Sequence, residues 1–177
     1  MIPFERTAIG AATASFTDLE RELLTDLATQ VIELLGEPPD AELAGIGGGD
    51  ALSTDPAIAR LLPDAYRDDA EASREFRRFT ENSLAARKVA NARALIGALA
   101  ESGEIELGAD SQQAWLRALT DIRLIIASRL GIENDDDDPQ YGDEAIDVRD
   151  ADLMMRDIYD WLGMVQGSLI GAIGAIE

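Results

Sequence analysis

Apolar positions recur at helical spacing in four long stretches and one short one, separated by segments rich in Gly, Pro and acid. The first stretch opens at Phe16-Thr17-Asp18-Leu19-Glu20. Thr17 as N-cap with Glu20 three residues later forms a capping box, in which each side chain satisfies a backbone N–H near the other. Leu24, Leu27, Val31 and Leu34 then follow three or four residues apart, which places them on one helix face. Gly36 and Pro38-Pro39 stop the run. Asp55-Pro56 supplies an N-cap and a first-turn proline for a short helix that reaches Leu62, ahead of Pro63.

A third pattern runs from Asp68 to Ser102. Phe76 and Phe79 mark one apolar face, and Ala85, Val89, Ala92, Ile96 and Leu99 mark another. Thr80-Glu81-Asn82-Ser83 between them has middling to poor helix propensity, so a break or kink is expected there. Asp110 with Gln113 is expected to open the next helix, with Trp115, Leu119, Ile122, Ile126 and Leu130 on one stripe and Gly131 at its end. The last helix, from about Ala151 to Ile176, aligns Ile158, Leu162, Val165, Leu169 and Ile173. Glu104-Ile105-Glu106-Leu107 alternates like a short strand, and its natural partner lies in residues 1–15, where one weak strand fits. The pattern predicts a mainly α fold: a helical bundle of four to five main helices with a minor two-stranded β element. A single domain is expected over 1–177, with flexible loops at 37–54 and 133–150.

Composition sharpens this picture mainly by exclusion. The chain of 177 residues has no cysteine and no histidine. Disulfides, thiolate nucleophiles, Cys/His zinc sites and imidazole acid–base catalysis are therefore outside its chemistry. Acids number 35 against 15 bases, a net charge of −20, which repels nucleic acid and anionic membrane surfaces alike. The N-terminus has no basic start followed by an apolar run, and the longest uncharged stretch, Trp161 to Ile176, is short for a membrane span. A cytoplasmic protein is expected, with no membrane association and no cofactor.

Several motifs suggest chemistry and do not sustain it. Gly47-Gly48-Gly49 lacks the following Lys-Ser/Thr of a phosphate loop. Asp135-Asp136-Asp137-Asp138 fails the spacing of a calcium loop, since its sixth position is Gln140 and its twelfth is Ile146. No acid is embedded in apolar sequence as a raised-pKa catalytic group would be. Asp121 and Asp160 come nearest, and their helical phase reads as solvent-facing. No catalytic or metal-binding residue is assigned, and the chain is expected not to be an enzyme.

The bases are distributed more tellingly. Arg74, Arg77, Arg78, Arg87, Lys88 and Arg93 lie within residues 74–93 against only two acids, a net +4 where the rest of the chain carries −24. Three readings stay open: pairing with the chain's own acids, docking of an acidic protein segment, or contact with DNA. A turn at 80–83 would give residues 71–100 a helix-turn-helix outline, with Arg87, Lys88, Asn91 and Arg93 near the start of the second helix. Gly163, Gly167 and Gly171 recur every fourth residue in the last helix, where glycine costs about 1 kcal/mol relative to alanine. That spacing predicts a close backbone approach, either an intramolecular helix crossing or a homodimer contact.

Three stretches together resemble a known family. They are Asp55-Pro56-Ala57-Ile58-Ala59-Arg60-Leu61-Leu62-Pro63-Asp64-Ala65-Tyr66 leading to Glu75-Phe76-Arg77-Arg78-Phe79-Thr80-Glu81, then Ala114-Trp115-Leu116-Arg117-Ala118-Leu119 through Arg129-Leu130-Gly131, and Tyr159-Asp160-Trp161-Leu162-Gly163. Their order and spacing resemble an actinobacterial domain of unknown function (DUF2017), some members of which are named oxidative-stress regulators (AosR). The resemblance implies a cytosolic regulator without enzymatic activity, acting on transcription through protein contacts, with a sigma factor or another transcription component as partner. It also implies a cysteine-pair redox switch in some members, and that switch cannot operate here. The four methionines are a poor substitute, because Met154-Met155 at a helix start is expected to pack.

Overall fold

A computed structural model describes residues 1–36, 55–62, 73–132 and 150–174, with side chains from residue 82 onward in the third segment. The expected loop 37–54, most of 133–150, and the side chains of Arg74, Arg77, Arg78, Phe76 and Phe79 lie outside what is described. In chain order the elements are β1 (Ile2–Arg6), β2 (Ala12–Ser15), α1 (Asp18–Leu35), α2 (Pro56–Leu61), α3 (Ser73–Ala100), β3 (Ile105–Leu107), α4 (Ala109–Leu130) and α5 (Asp150–Gly174). The mainly α prediction holds.

The strands form one antiparallel sheet in the order β1-β2-β3, with Ala12 opposite Leu107 and Ala14 opposite Ile105. The partner of β3 does come from the N-terminal segment, but that segment is a hairpin rather than a single strand. Its inward positions are Phe4, Ala12 and Ala14, and the two alanines are too small to make the alternation conspicuous in sequence. The hairpin turns at Gly10, whose φ of 84° lies in the left-handed region that favours glycine.

Thr17 caps α1 with the reciprocal capping box the sequence predicts. Asp55 caps α2, its carboxylate accepting from the Ala57 N–H at 2.8 Å. The cap of α4 departs from expectation. Gly108 takes the N-cap position without any side-chain hydrogen bond, and Asp110 lies inside the first turn. Gln112, one turn in, is buried, and its amide donates to the carbonyls of Leu107 and Gly10. That side chain fastens the hairpin turn and β3 to the start of α4.

α4 is the axis of the core. It packs against α1, α2, α3, α5 and β3, and buries Trp115, Leu119, Ile122, Ile125 and Ile126. Phe4, Phe16 and Trp115 meet with ring centroids 5.6 to 6.0 Å apart, joining the sheet to the bundle. Leu162, Val165 and Leu169 carry the buried stripe of α5, with Ile158 and Ile173 partly buried beside them. β1 lies along α5: the Phe4 N–H donates to Ser168 Oγ at 3.3 Å, and Arg6 Nη1 donates to the Ile173 carbonyl at 3.0 Å. These bonds occupy an outer strand and supply a cation to the C-terminal end of α5.

The clearest correction concerns α3. It is one helix of 28 residues that continues through 80–83, where a break or kink was expected, and no break occurs. Thr80, Glu81, Asn82 and Ser83 each disfavour helix by only a fraction of a kcal/mol. Such a penalty is smaller than the gain from burying Val89, Ala92, Leu95 and Leu99 between α1 and α4. The helix-turn-helix outline therefore lacks its turn.

Candidate functional site

α3 and α4 run alongside each other and leave an open cleft of about 470 Å³ between their outer faces. From α3 come Leu84, Arg87, Lys88 and Asn91, spaced three and four apart and so on one side of the helix. From α4 come Leu116, Arg117, Thr120 and Asp121. The two leucines are apolar walls, and Arg87 and Arg117 are exposed at the rim.

Asp121 lies at the base and is only 4% exposed, which overturns the reading of it as solvent-facing. α4 is covered on several sides, so a residue off the Trp115 stripe still points into a neighbouring helix. Lys88 reaches down from α3 and donates to the Asp121 carboxylate in a salt bridge. Burial pushes the Asp121 carboxyl above its ordinary 3.8, and the hydrogen bond and positive charge of Lys88 pull it back without cancelling the effect. Asp160, the other acid singled out, is exposed as expected.

The predicted basic residues thus meet different fates. Lys88 is neutralised within the chain, Arg87 stands at the cleft rim, and Arg93 is exposed on α3 outside the cleft. Neither Arg87 nor Arg117 forms a salt bridge among the described residues. The cleft therefore carries three cations and one anion in a chain whose total charge is −20. Arg117 was missed in the sequence because it lies outside the 74–93 cluster. Its signal was the i, i+4 relation to Asp121 together with the parallel stripe on α3.

Beside the cleft, α4 is joined to α5 by a polar network that shares Thr120 with the cleft lining. Arg123 lies over the Tyr159 ring, 4.5 Å from its centroid, and donates to Gln166 Oε1 at 2.9 Å. Gln166 Nε2 in turn donates to Thr120 Oγ1 at 2.8 Å. A Cβ at Gly163 would meet the Arg123 guanidinium at 3.8 Å, an ordinary contact, and at Gly167 and Gly171 none of the described residues lies within 4 Å. The intramolecular close crossing expected of these glycines is not formed among the described residues. Met164 and Ile170, on the same outer face, are 62% and 54% exposed. Met155 packs against the core as expected, whereas Met154 is exposed.

Among the described residues no group of three or more acids is arranged to hold a metal ion, and no helix is long and apolar enough to cross a membrane. The tetra-aspartate run lies outside them.

The model of the domain of unknown function DUF2017 matches residues 1–173. The chain belongs to this family. A putative oxidative stress regulator AosR of Mycobacterium leprae is 28% identical over 178 residues, covering 88% of this chain and 79% of that protein. The oxidative stress regulators AosR of Mycobacterium bovis and Mycobacterium tuberculosis are each 28% identical over 179 residues, covering 89% of this chain and 79% of theirs. No solved structure matches. The chain itself contains no cysteine.

Proposed function

We propose that this DUF2017 protein is a cytoplasmic, non-enzymatic regulator in transcription or stress response that acts through protein–protein contacts and without a cysteine redox switch. The partner is a component of the transcription apparatus, a sigma factor being one such component. The names of the mycobacterial relatives support the regulatory part. One observation carries the part about contacts: Arg87 is exposed on α3 at the rim of the α3–α4 cleft, on an otherwise strongly acidic chain. Charge contrast of this kind steers association and selects acidic partners. The uninterrupted α3 lacks the turn of a helix-turn-helix, which supports protein contacts over the alternative of a DNA-binding module.

The test is a transcript comparison before and after peroxide challenge in the native host, with and without the gene. Loss of the gene is expected to change a defined set of stress transcripts. The wild-type chain restores them, and Arg87→Glu restores them incompletely. Identical transcript sets with and without the gene would overturn the regulatory reading.

A further inference from the structure

We infer that the α3–α4 cleft is the docking groove for an acidic amphipathic helix of the partner, with the partner's apolar side chains against Leu84 and Leu116 and its carboxylates on Arg87 and Arg117. This inference rests on the regulatory reading for its biological setting, but its physical content is separate.

The shape favours a segment rather than a small molecule. Small-ligand sites enclose most of their ligand, whereas this cleft is open along two helices. A groove between two helices is the usual seat of a third helix, read through anchors at i, i+3, i+4 and i+7. The lining is ordered the same way. Leu84, Arg87, Lys88 and Asn91 repeat that spacing on one wall, and Leu116, Arg117, Thr120 and Asp121 face them from the other.

The charge specifies the occupant. Arg87 and Arg117 are exposed, one on each wall, and form no salt bridge among the described residues. Guanidinium groups favour carboxylates because their planar fork makes two parallel hydrogen bonds. Lys88 is positioned differently: its pairing with buried Asp121 keeps the ammonium low between the helices and leaves the rim to the two arginines. Asp121 is therefore a positioning residue, and an anion entering the cleft meets a field that the acidic remainder of the molecule does not provide.

The experiment titrates the full-length chain with labelled synthetic peptides and reads fluorescence anisotropy, with amide and methyl NMR shifts to locate binding. The test peptide is helical, with Leu and Glu at i, i+3, i+4 and i+7. One control keeps the Glu residues and replaces Leu by Ser, a second replaces Glu by Lys, and free phosphate and citrate are titrated separately. The amphipathic acidic peptide is expected to bind and to move the resonances of Leu84 and Leu116. Affinity is expected to fall about tenfold or more for Arg87→Glu with Arg117→Glu, and to weaken with added salt. Both arginines are exposed, so an unchanged melting temperature certifies that the double variant is folded.

Binding unaffected by the double substitution, shifts that map away from the cleft, or equal binding of the Leu-to-Ser control would overturn the proposal. So would no binding at low salt, where attraction is strongest, or saturation by phosphate or citrate alone with no peptide preference. Peptide binding together with transcripts indifferent to the gene would leave the groove standing while the regulatory reading fell. Transcripts that depend on the gene, with no peptide binding, would do the reverse.

Discussion

Lys88 and Asp121 show how one residue pair alters the meaning of a sequence feature. In the sequence Lys88 belongs to a basic cluster, while in the fold it serves first to neutralise a carboxylate that burial has stranded. Lys88→Met should leave the buried Asp121 carboxyl without its partner and push its titration further upward. It is expected to cost about 2–4 kcal/mol, toward the low end of buried-pair losses because Lys88 is partly exposed. The sign of its pH dependence follows from the raised carboxyl. Between 3.8 and its folded value the native state holds the extra proton, so the Asp121 contribution to stability falls as pH rises through that window. The Lys88→Met loss should therefore shrink as pH drops toward 4, and adding Asp121→Asn should recover most of it at pH 7. Urea unfolding at the two pH values measures this; equal losses at both would contradict it. Glu20 has the opposite sign. Burial alone would raise its carboxyl, but hydrogen bonds from the Met1 ammonium and from Thr17 outweigh burial and hold it below 4.5. Its contribution is present above 4.5 and is lost as pH falls through the lowered value. The Thr17 capping box was legible because its chemistry is local, whereas the burial of Asp121 was not, because it depends on which helix lies opposite.

At the level of elements, helix existence was legible in the apolar spacing, and two of the helix readings turn on non-local packing. α3 continues through Thr80-Glu81-Asn82-Ser83 because the packing downstream outweighs weak local propensity. Asn82→Pro is therefore expected to destabilise the protein by about 3 kcal/mol, as in a helix interior, and Asn82→Ala to be neutral or slightly stabilising. Tolerance of the proline in thermal melts would restore the turn. The glycines of α5 are the second case. Their fourfold spacing predicted a crossing inside the chain or a homodimer contact, and among the described residues nothing crosses close to Gly167 or Gly171. Gly167→Ala and Gly171→Ala should each stabilise α5 by about 0.5–1 kcal/mol, since alanine meets none of the described residues there and loses less backbone entropy on folding. Destabilisation by either would mean that a neighbour is pressed against that face.

For the whole molecule the dominant quantity is the net charge of −20. Self-repulsion on that scale is screened within about 10 Å at 0.1 M salt and less at lower concentration. Raising salt from dilute buffer to about 0.5 M should raise the melting temperature by several degrees, while the same change weakens peptide binding in the α3–α4 cleft. Opposite responses in one titration series would separate global charge from local charge. The placement of β1 has a different kind of consequence. The bonds from Phe4 and Arg6 to α5 span 164 to 167 residues of sequence. During synthesis at roughly 5–20 residues per second, the first strand waits some ten to thirty seconds for the helix that covers it. Until then Phe4 and the inner face of the hairpin lack part of their cover, so a nascent chain halted after Leu130 should associate with chaperones, and release should coincide with the emergence of α5 from the ribosome.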